Sequence, residues 1–330
     1  MIDLTGVLSG IGSSLPVLAE VNEAELGPLV LASVLLSLIV IYLAAKLGGE
    51  LCARVNLPSV LGELVGGVVV GVSALNLIVF PEGAEPVHSF LMDFVQLTAN
   101  LEPDALLTVF KSQSEVVSIL AEIGVIILLF EIGLESDLKE LIRVGPQAAV
   151  VAIVGVVVPF VAGTVGLIAF FGVETIPAVF AGAALTATSI GITAKVLAEL
   201  QTLSSREGQI IIGAAVLDDV LGIIVLAVVA SLAKTGEIEI TNVIFLIIGA
   251  AVFLVGSILL GRLLSPLFVG LVDQMQTRGQ VLISSLVFAF VLSYIAAAIQ
   301  LEAILGAFAA GLILAETTKR KELEEQISPI

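Results

Sequence analysis

Two adjacent acids, Asp218 and Asp219, lie near the middle of an apolar run from Gly208 to Lys234. A charged side chain at that depth costs at least about 2.5–3.5 kcal/mol on insertion scales, so acids held there mark a functional site. Neighbouring helix positions point about 100° apart, because one turn takes about 3.6 residues. The two carboxylates therefore need different partners. One can line a water-accessible ion site while the other pairs with a basic group on another helix, and no Lys or Arg lies at comparable depth elsewhere in the 330 residues. Their protons belong to the pair, and a carboxylate that accepts either a proton or a metal cation can exchange one for the other. The same divergence excludes an intramembrane aspartyl protease, whose two acids must face one peptide bond from separate helices.

The preceding apolar run carries Leu185-Thr-Ala-Thr-Ser-Ile-Gly-Ile-Thr193 at its centre, where Thr186, Thr188, Ser189, Thr193 and Gly191 interrupt the hydrophobic pattern. Gly and hydroxyl residues let a membrane helix unwind, because the hydroxyls satisfy the freed backbone groups. A helix broken in this way presents half-helix ends and bare carbonyls to ions at the bilayer midplane. Glu63 and Glu131 also fall within spans, each about one turn from an end, and are possible accessory groups, either bonding between helices or lining an aqueous cavity. Gln209 and Gln300 are expected at the interfaces, and Cys52 and His88, in or beside loops, carry no specific role.

The elements that hold these groups follow from composition. Hydrophobic residues make up 58% of the chain and charged residues 13%, with a mean hydropathy of +1.19, against about 45–50% apolar and about 25% charged in soluble domains. A surface this poor in charge must face lipid. The net charge of −17 excludes a nucleic-acid partner, which demands a basic face, and fits a cationic ligand. A single cysteine excludes an intrachain disulfide, and a single histidine excludes a His-rich metal site.

A membrane-spanning helix needs about 20 mainly apolar residues. Nine candidates occur: Gly27–Lys46, Ser59–Phe80, Val116–Leu134, Gln147–Phe171, Ile176–Glu199, Gly208–Lys234, Thr241–Leu264, Val281–Ile299 and a short Ala303–Glu316. Long apolar stretches of this kind are helices, not barrel strands. The residues from Met1 to Glu25 lack any Lys or Arg but carry Asp3, Glu20, Glu23 and Glu25, so they are an acidic lead-in rather than a secretory signal. Cytoplasmic loops retain basic residues. With the N-terminus outside, Lys46, Arg54, Lys139, Arg143, Lys195, Arg206, Arg262, Arg278, Lys319, Arg320 and Lys321 all fall at the cytoplasmic side, leaving Lys111 and Lys234 outside. The segment from Pro81 to Glu115 is then an external, acidic, solvated loop.

Leu57-Pro-Ser-Val-Leu-Gly-Glu-Leu-Val-Gly-Gly-Val and Leu301-Glu-Ala-Ile-Leu-Gly-Ala-Phe-Ala-Ala-Gly-Leu share a spacing of Leu, Leu-Gly and a later small-Gly pair. They open helices of opposite direction across the membrane, as inverted-topology repeats of secondary transporters do. The first copy would run from Ser59 to Lys234, and the second would stop about four helices short at Ile330.

These motifs together resemble the cation/proton antiporter-2 family, which holds bacterial sodium/proton antiporters and the Kef-type potassium systems. The resemblance is carried by Leu61-Gly-Glu-Leu-Val-Gly-Gly67, Leu128-Leu-Phe-Glu-Ile-Gly-Leu-Glu135, Thr186-Ala-Thr-Ser-Ile-Gly-Ile-Thr193, Gly208-Gln-Ile-Ile-Ile-Gly-Ala-Ala-Val-Leu-Asp-Asp-Val-Leu-Gly222 and Leu305-Gly-Ala-Phe-Ala-Ala-Gly311. It implies an all-α polytopic membrane protein with an inverted-repeat antiporter fold, a discontinuous helix and a truncated second repeat. It also implies a homodimer of thirteen-helix protomers in the lipid bilayer, each with a dimerisation domain and a moving core. In such proteins the second aspartate, here Asp219, carries the ion and the proton, while Asp218 pairs with a lysine on a later helix. Thr188 and Ser189 would lie nearest the site, within the unwound stretch that includes Thr186, Gly191 and Thr193. The family's lysine helix and second unwound helix lie beyond Ile330.

The expected organisation is an external acidic segment (1–26), dimerisation-type helices (27–134), core helices (135–240), a linker with the start of the second repeat (241–316) and a charged cytoplasmic tail (317–330). The expected activity is exchange of Na⁺ for H⁺ by alternating access, with no cofactor and no catalysis, Na⁺ and H⁺ competing for Asp219. The alternatives are a Kef-type K⁺/H⁺ antiporter and a truncated, non-transporting membrane scaffold.

Overall fold

A computed structural model describes residues 23–71, 74–78, 103–235, 240–275, 277 and 279–327. The described residues contain helices and turns and no strand. In chain order the helices are α1 (Glu23–Arg54), α2 (Ser59–Val70), α3 (Pro103–Glu135), α4 (Leu138–Phe171), α5 (Thr175–Ala184), α6 (Ile190–Glu199), α7 (Arg206–Thr235), α8 (Ile240–Gln274), α9 (Gln280–Ala298), α10 (Ala303–Ala315) and α11 (Arg320–Ile327). Five contain spans long and apolar enough to cross a membrane: Leu26–Arg54, Ala105–Glu135, Leu138–Phe171, Arg206–Val229 and Gln280–Ala298. Large apolar side chains such as Leu47, Val158 and Leu263 are more than half exposed, which lipid, not water, accommodates. The chain is an all-α, multi-pass membrane protein.

Several helix bounds differ from those expected, each for a local reason. α4 starts at Leu138 rather than Gln147, because Asp137 caps it: Asp137 Oδ1 accepts from Lys139 N at 2.8 Å and Glu140 N at 3.2 Å. Lys139 and Arg143, expected in a loop or at a helix end, therefore ride on the first turns of α4. α3 starts at Pro103, so Lys111 and Glu115 are helical rather than in a solvated loop; Ala105, Val109 and Phe110 give those early turns a buried face. The second expected span is a 12-residue helix ending at Val70. Cys52 is in the last turn of α1, beside the turn that follows. The acidic lead-in before residue 23 and most of the expected external segment, with His88, lie outside the described residues.

The chain falls into two compact units, Met1–Leu120 and Ala121–Ile330. In the first, α1 and α2 form a tight hairpin. Asn56, at φ 58°, closes it, with Asn56 N donating to Ala53 O at 3.1 Å and Leu57 N to Cys52 O at 2.9 Å. Gly48 and Gly62 put the two backbones in contact, leaving no room for a Cβ on either. Ser37 Oγ accepts from Gln113 Nε2 of α3 at 2.8 Å.

In the second unit, α4 packs against α5 and α7, α7 also touches α6 and α8, and α10 packs against α8 and α9. The shared core includes Leu129, Phe130, Ile190, Ile212, Leu305, Phe308 and Leu314. Small residues set the closest crossings. A Cβ on Gly213 of α7 would meet Ala148 Cβ at 3.0 Å, and Gly133 of α3 and Gly311 of α10 bring those helices to backbone contact. The charged tail forms α11, anchored by the buried Leu323 and Ile327.

Candidate ion site at the broken helix

The apolar run expected as one span from Ile176 to Glu199 is two ten-residue helices, α5 and α6, separated by Leu185–Ser189. α5 is held against α4 by Gly182, where a Cβ would lie 2.9 Å from Phe160 O. Thr186 is buried and its Oγ1 donates to Ala183 O at 2.8 Å, tying off the last turn of α5. Ser189 opens α6 as its cap, its Oγ accepting from Ile192 N at 3.4 Å. The hydroxyls thus satisfy the backbone groups that the break releases. Gly191 and Thr193 lie on α6 itself, beyond the break.

α7 is unbroken and carries both aspartates past this gap. Asp218 is buried, and its Oδ2 accepts from Thr188 N at 3.2 Å. The partner of Asp218 in this chain is therefore Thr188, through its hydroxyl as well as its backbone N–H, at the N-terminal end of a half-helix, a ready-made site for a negative group. Asp219 points elsewhere, as the helical angle requires. Its Oδ2 is buried and has no hydrogen-bond partner among the described residues. A buried oxygen left unsatisfied is uncommon and calls for an explanation. One carboxylate is held by Thr188, while the buried Oδ2 of its neighbour has no such partner among the described residues.

Glu302, which the sequence did not single out, is close enough to Asp219 for the two charges to interact. It occupies the N-cap of α10, is exposed and makes no side-chain cap bond. The sequence held a signal: Glu302 opens the second copy of the repeat, where the first copy has Pro58. Glu131, on α3, faces Lys195 of α6 electrostatically rather than the aspartates. Glu63 is exposed on α2 beside Gly49 of α1, in the other unit. Gln209, expected at an interface, is fully buried, its Nε2 donating to Leu203 O at 2.9 Å to fix the entry to α7.

Residues 39–330 match the family model of the transmembrane sodium/hydrogen exchangers. The chain belongs to that family. The exchanger is 70% identical, over 94% of its length, to the high-affinity Na⁺/H⁺ antiporter NhaS3 of Synechocystis sp., covering 67% of that protein. It is 33% identical to the probable Na⁺/H⁺ antiporter GerT of Bacillus cereus, over 89% of the chain and 68% of the relative. The Na⁺/H⁺-K⁺ antiporter GerN of the same organism is 32% identical over 88% of the chain and 65% of its own length. The chain thus spans about two thirds of the length of these relatives.

Proposed function

We propose that this exchanger carries Na⁺ inward or outward in exchange for H⁺, with both ions competing for Asp219. The observation that carries this is the asymmetry of the pair: Asp218 is tied to Thr188 N, while the buried Oδ2 of Asp219 has no partner. An ion that reaches Asp219 meets a carboxylate whose proton it can replace. The names of three relatives, each a sodium/proton antiporter, support the same exchange. The protein acts as a transporter, not an enzyme. In this reading Thr188 and Ser189, at the break, sense the ion, and Glu302 supplies a second negative charge on approach. A scaffold without transport would have no use for a buried unsatisfied carboxylate, which costs stability.

Eleven of the thirteen basic residues support an orientation with the N-terminus outside and α11 on the cytoplasmic side. The reading includes a homodimer in the bilayer, with 27–134 as dimerisation helices and 135–240 as the moving core. Alternation of the core exposes Asp219 to each side in turn.

The test is Na⁺-dependent proton flux across everted membrane vesicles containing the full-length protein. Asp219→Asn should abolish it, because an amide neither releases a proton nor binds a cation as an anion does. Retained flux overturns the assignment. Because one relative's name includes potassium, K⁺ should be run beside Na⁺; flux driven by K⁺ alone would replace sodium with potassium as the cargo.

A further inference from the structure

We infer that Lys195 is a positioning residue for the ion site, holding the half-helix α6 to the end of α3 between Glu131 and Glu135. The inference rests on the exchange reading and adds to it the device that fixes one wall of the site.

Its basis is the packing of α6 on α3. A Cβ placed on Gly191 would lie 3.5 Å from Leu129 Cδ2 and 3.8 Å from Leu128 Cδ2, so the bare face of α6 lies against those leucines. Lys195 is four residues further along, on the Gly191 face, while Glu131 and Glu135 continue the Leu128 face of α3 at spacings of three and seven. The two helices therefore run in the same direction, and the lysine arrives level with the two glutamates. Lys195 interacts electrostatically with both. Without it, Glu131 and Glu135 would stand as like charges at i and i+4, which repel.

The end of α3 is itself fixed. Gly133 is in backbone contact with Gly311 of α10. Arg320, from α11, donates through Nη2 to Glu135 O at 3.1 Å and pairs through Nε with Glu324 Oε1 at 2.6 Å. Arg320 and Glu324 are the other charges that face Glu135. α6, by contrast, is a ten-residue helix with a break at one end, too short to be stable by itself, and its buried residues Ile190, Gly191 and Ala194 pin only the half nearer the break. Lys195 is about two turns from Thr188, whose N–H meets Asp218. A small swing of α6 about an unfastened end would move that donor away from Asp218, the neighbour of Asp219 on α7. Supporting groups of this kind typically change ion affinity about 10–100-fold without touching the ion.

The experiment measures the apparent KM for Na⁺ and the maximal rate in vesicles of the full-length protein. Lys195→Gln is expected to raise KM about ten-fold with the maximal rate changed less than about two-fold, at an unchanged amount of membrane protein. Lys195→Arg, which keeps the charge, should recover most of the loss, and exchanging the charges with Lys195→Glu plus Glu131→Lys should bind Na⁺ more tightly than Lys195→Glu alone. A wild-type KM in Lys195→Gln, or an arginine variant as impaired as the glutamine one, overturns the inference. A second measurement is independent of transport: with Cys52 replaced by serine, Lys195→Cys and Glu131→Cys together should cross-link through a short bifunctional maleimide within one chain. No cross-link overturns the packing even where flux is normal. Absence of Na⁺-dependent flux in the wild type alongside a formed cross-link would instead overturn the exchange reading and leave the fastening of α6 standing.

Discussion

The hairpins α1–α2 and α9–α10 are built on one local plan and end in opposite surroundings. In the second, Gln300 N donates to Ala297 O at 3.0 Å and Leu301 N to Ala296 O at 3.0 Å, the same bonds as in the first with every residue number raised by 244. Gln300, at φ 66°, takes the place of Asn56. Gly306 lies on the backbone of Leu292 just as Gly62 lies on that of Gly48, each pair 14 residues apart. Yet only Val60, Gly62, Gly66 and Val70 are buried in α2, whereas every residue from Leu305 to Leu314 is buried in α10. The turn and the glycine contact are properties of a short stretch of sequence. Burial is a property of neighbours: α10 has α8, α9 and the Gly133 crossing of α3 around it.

That difference predicts unequal costs for changes at matching positions. The largest is expected at the position where α2 has Glu63 and α10 has the fully buried Ala307. Ala307→Glu places an unpaired carboxylate in the core and should destabilise by about 3 kcal/mol or more, while Glu63→Ala, at an exposed site, should stay within about 0.5 kcal/mol. Thermal melting of the detergent-solubilised protein would show it as a large loss of folded material against no change; similar melts for both would erase the contrast.

Next come the glycines. Gly306→Val drives a branched side chain into backbone that cannot move aside, at a cost of about 3 kcal/mol. Gly62→Val meets backbone as well, but α2 has a largely exposed outer face along which it can shift, so about 1–2 kcal/mol is expected. Equal losses would mean that the core around α10 yields as readily as lipid does. The smallest effect concerns the turns. Gln300→Gly removes the strain of a long side chain at positive φ and should stabilise by up to about 1 kcal/mol, and Asn56→Gly by less, since Asn tolerates that region. A destabilised Gln300→Gly would show that the glutamine side chain holds the turn.

Much of the site was legible beforehand because its signals are local. Acids in the middle of an apolar run, and hydroxyls clustered with a glycine, violate the pattern around them. The break at Leu185–Ser189 takes in Thr186, Thr188 and Ser189, while Gly191 and Thr193 fall beyond it on α6. Less legible was what each group does. Thr188 serves Asp218 through its hydroxyl and its backbone N–H together, and the hydroxyl motif alone does not say which aspartate it meets. Ser189 caps a helix, and Glu131 belongs with Lys195. Glu302 comes into range of Asp219 only because the chain returns there 83 residues later. The bounds of α3 and α4 differ from the apolar stretches for a simpler reason: hydropathy locates the apolar stretch, while Asp137 and the buried Ala105 face extend the helices beyond it.

By itself, the sequence determined the solvent, the helical character of the chain, the broken helix, the divergence of Asp218 from Asp219 and the two matching turns. All of these follow from residue types within a few positions of one another, where backbone geometry and transfer energy act directly. Tertiary structure decided which aspartate is fixed, which hairpin is enclosed and which charges meet at the end of α3. Those outcomes depend on helices far apart in the chain arriving at the same place, and on side chains too short to reach any partner until packing brings one near.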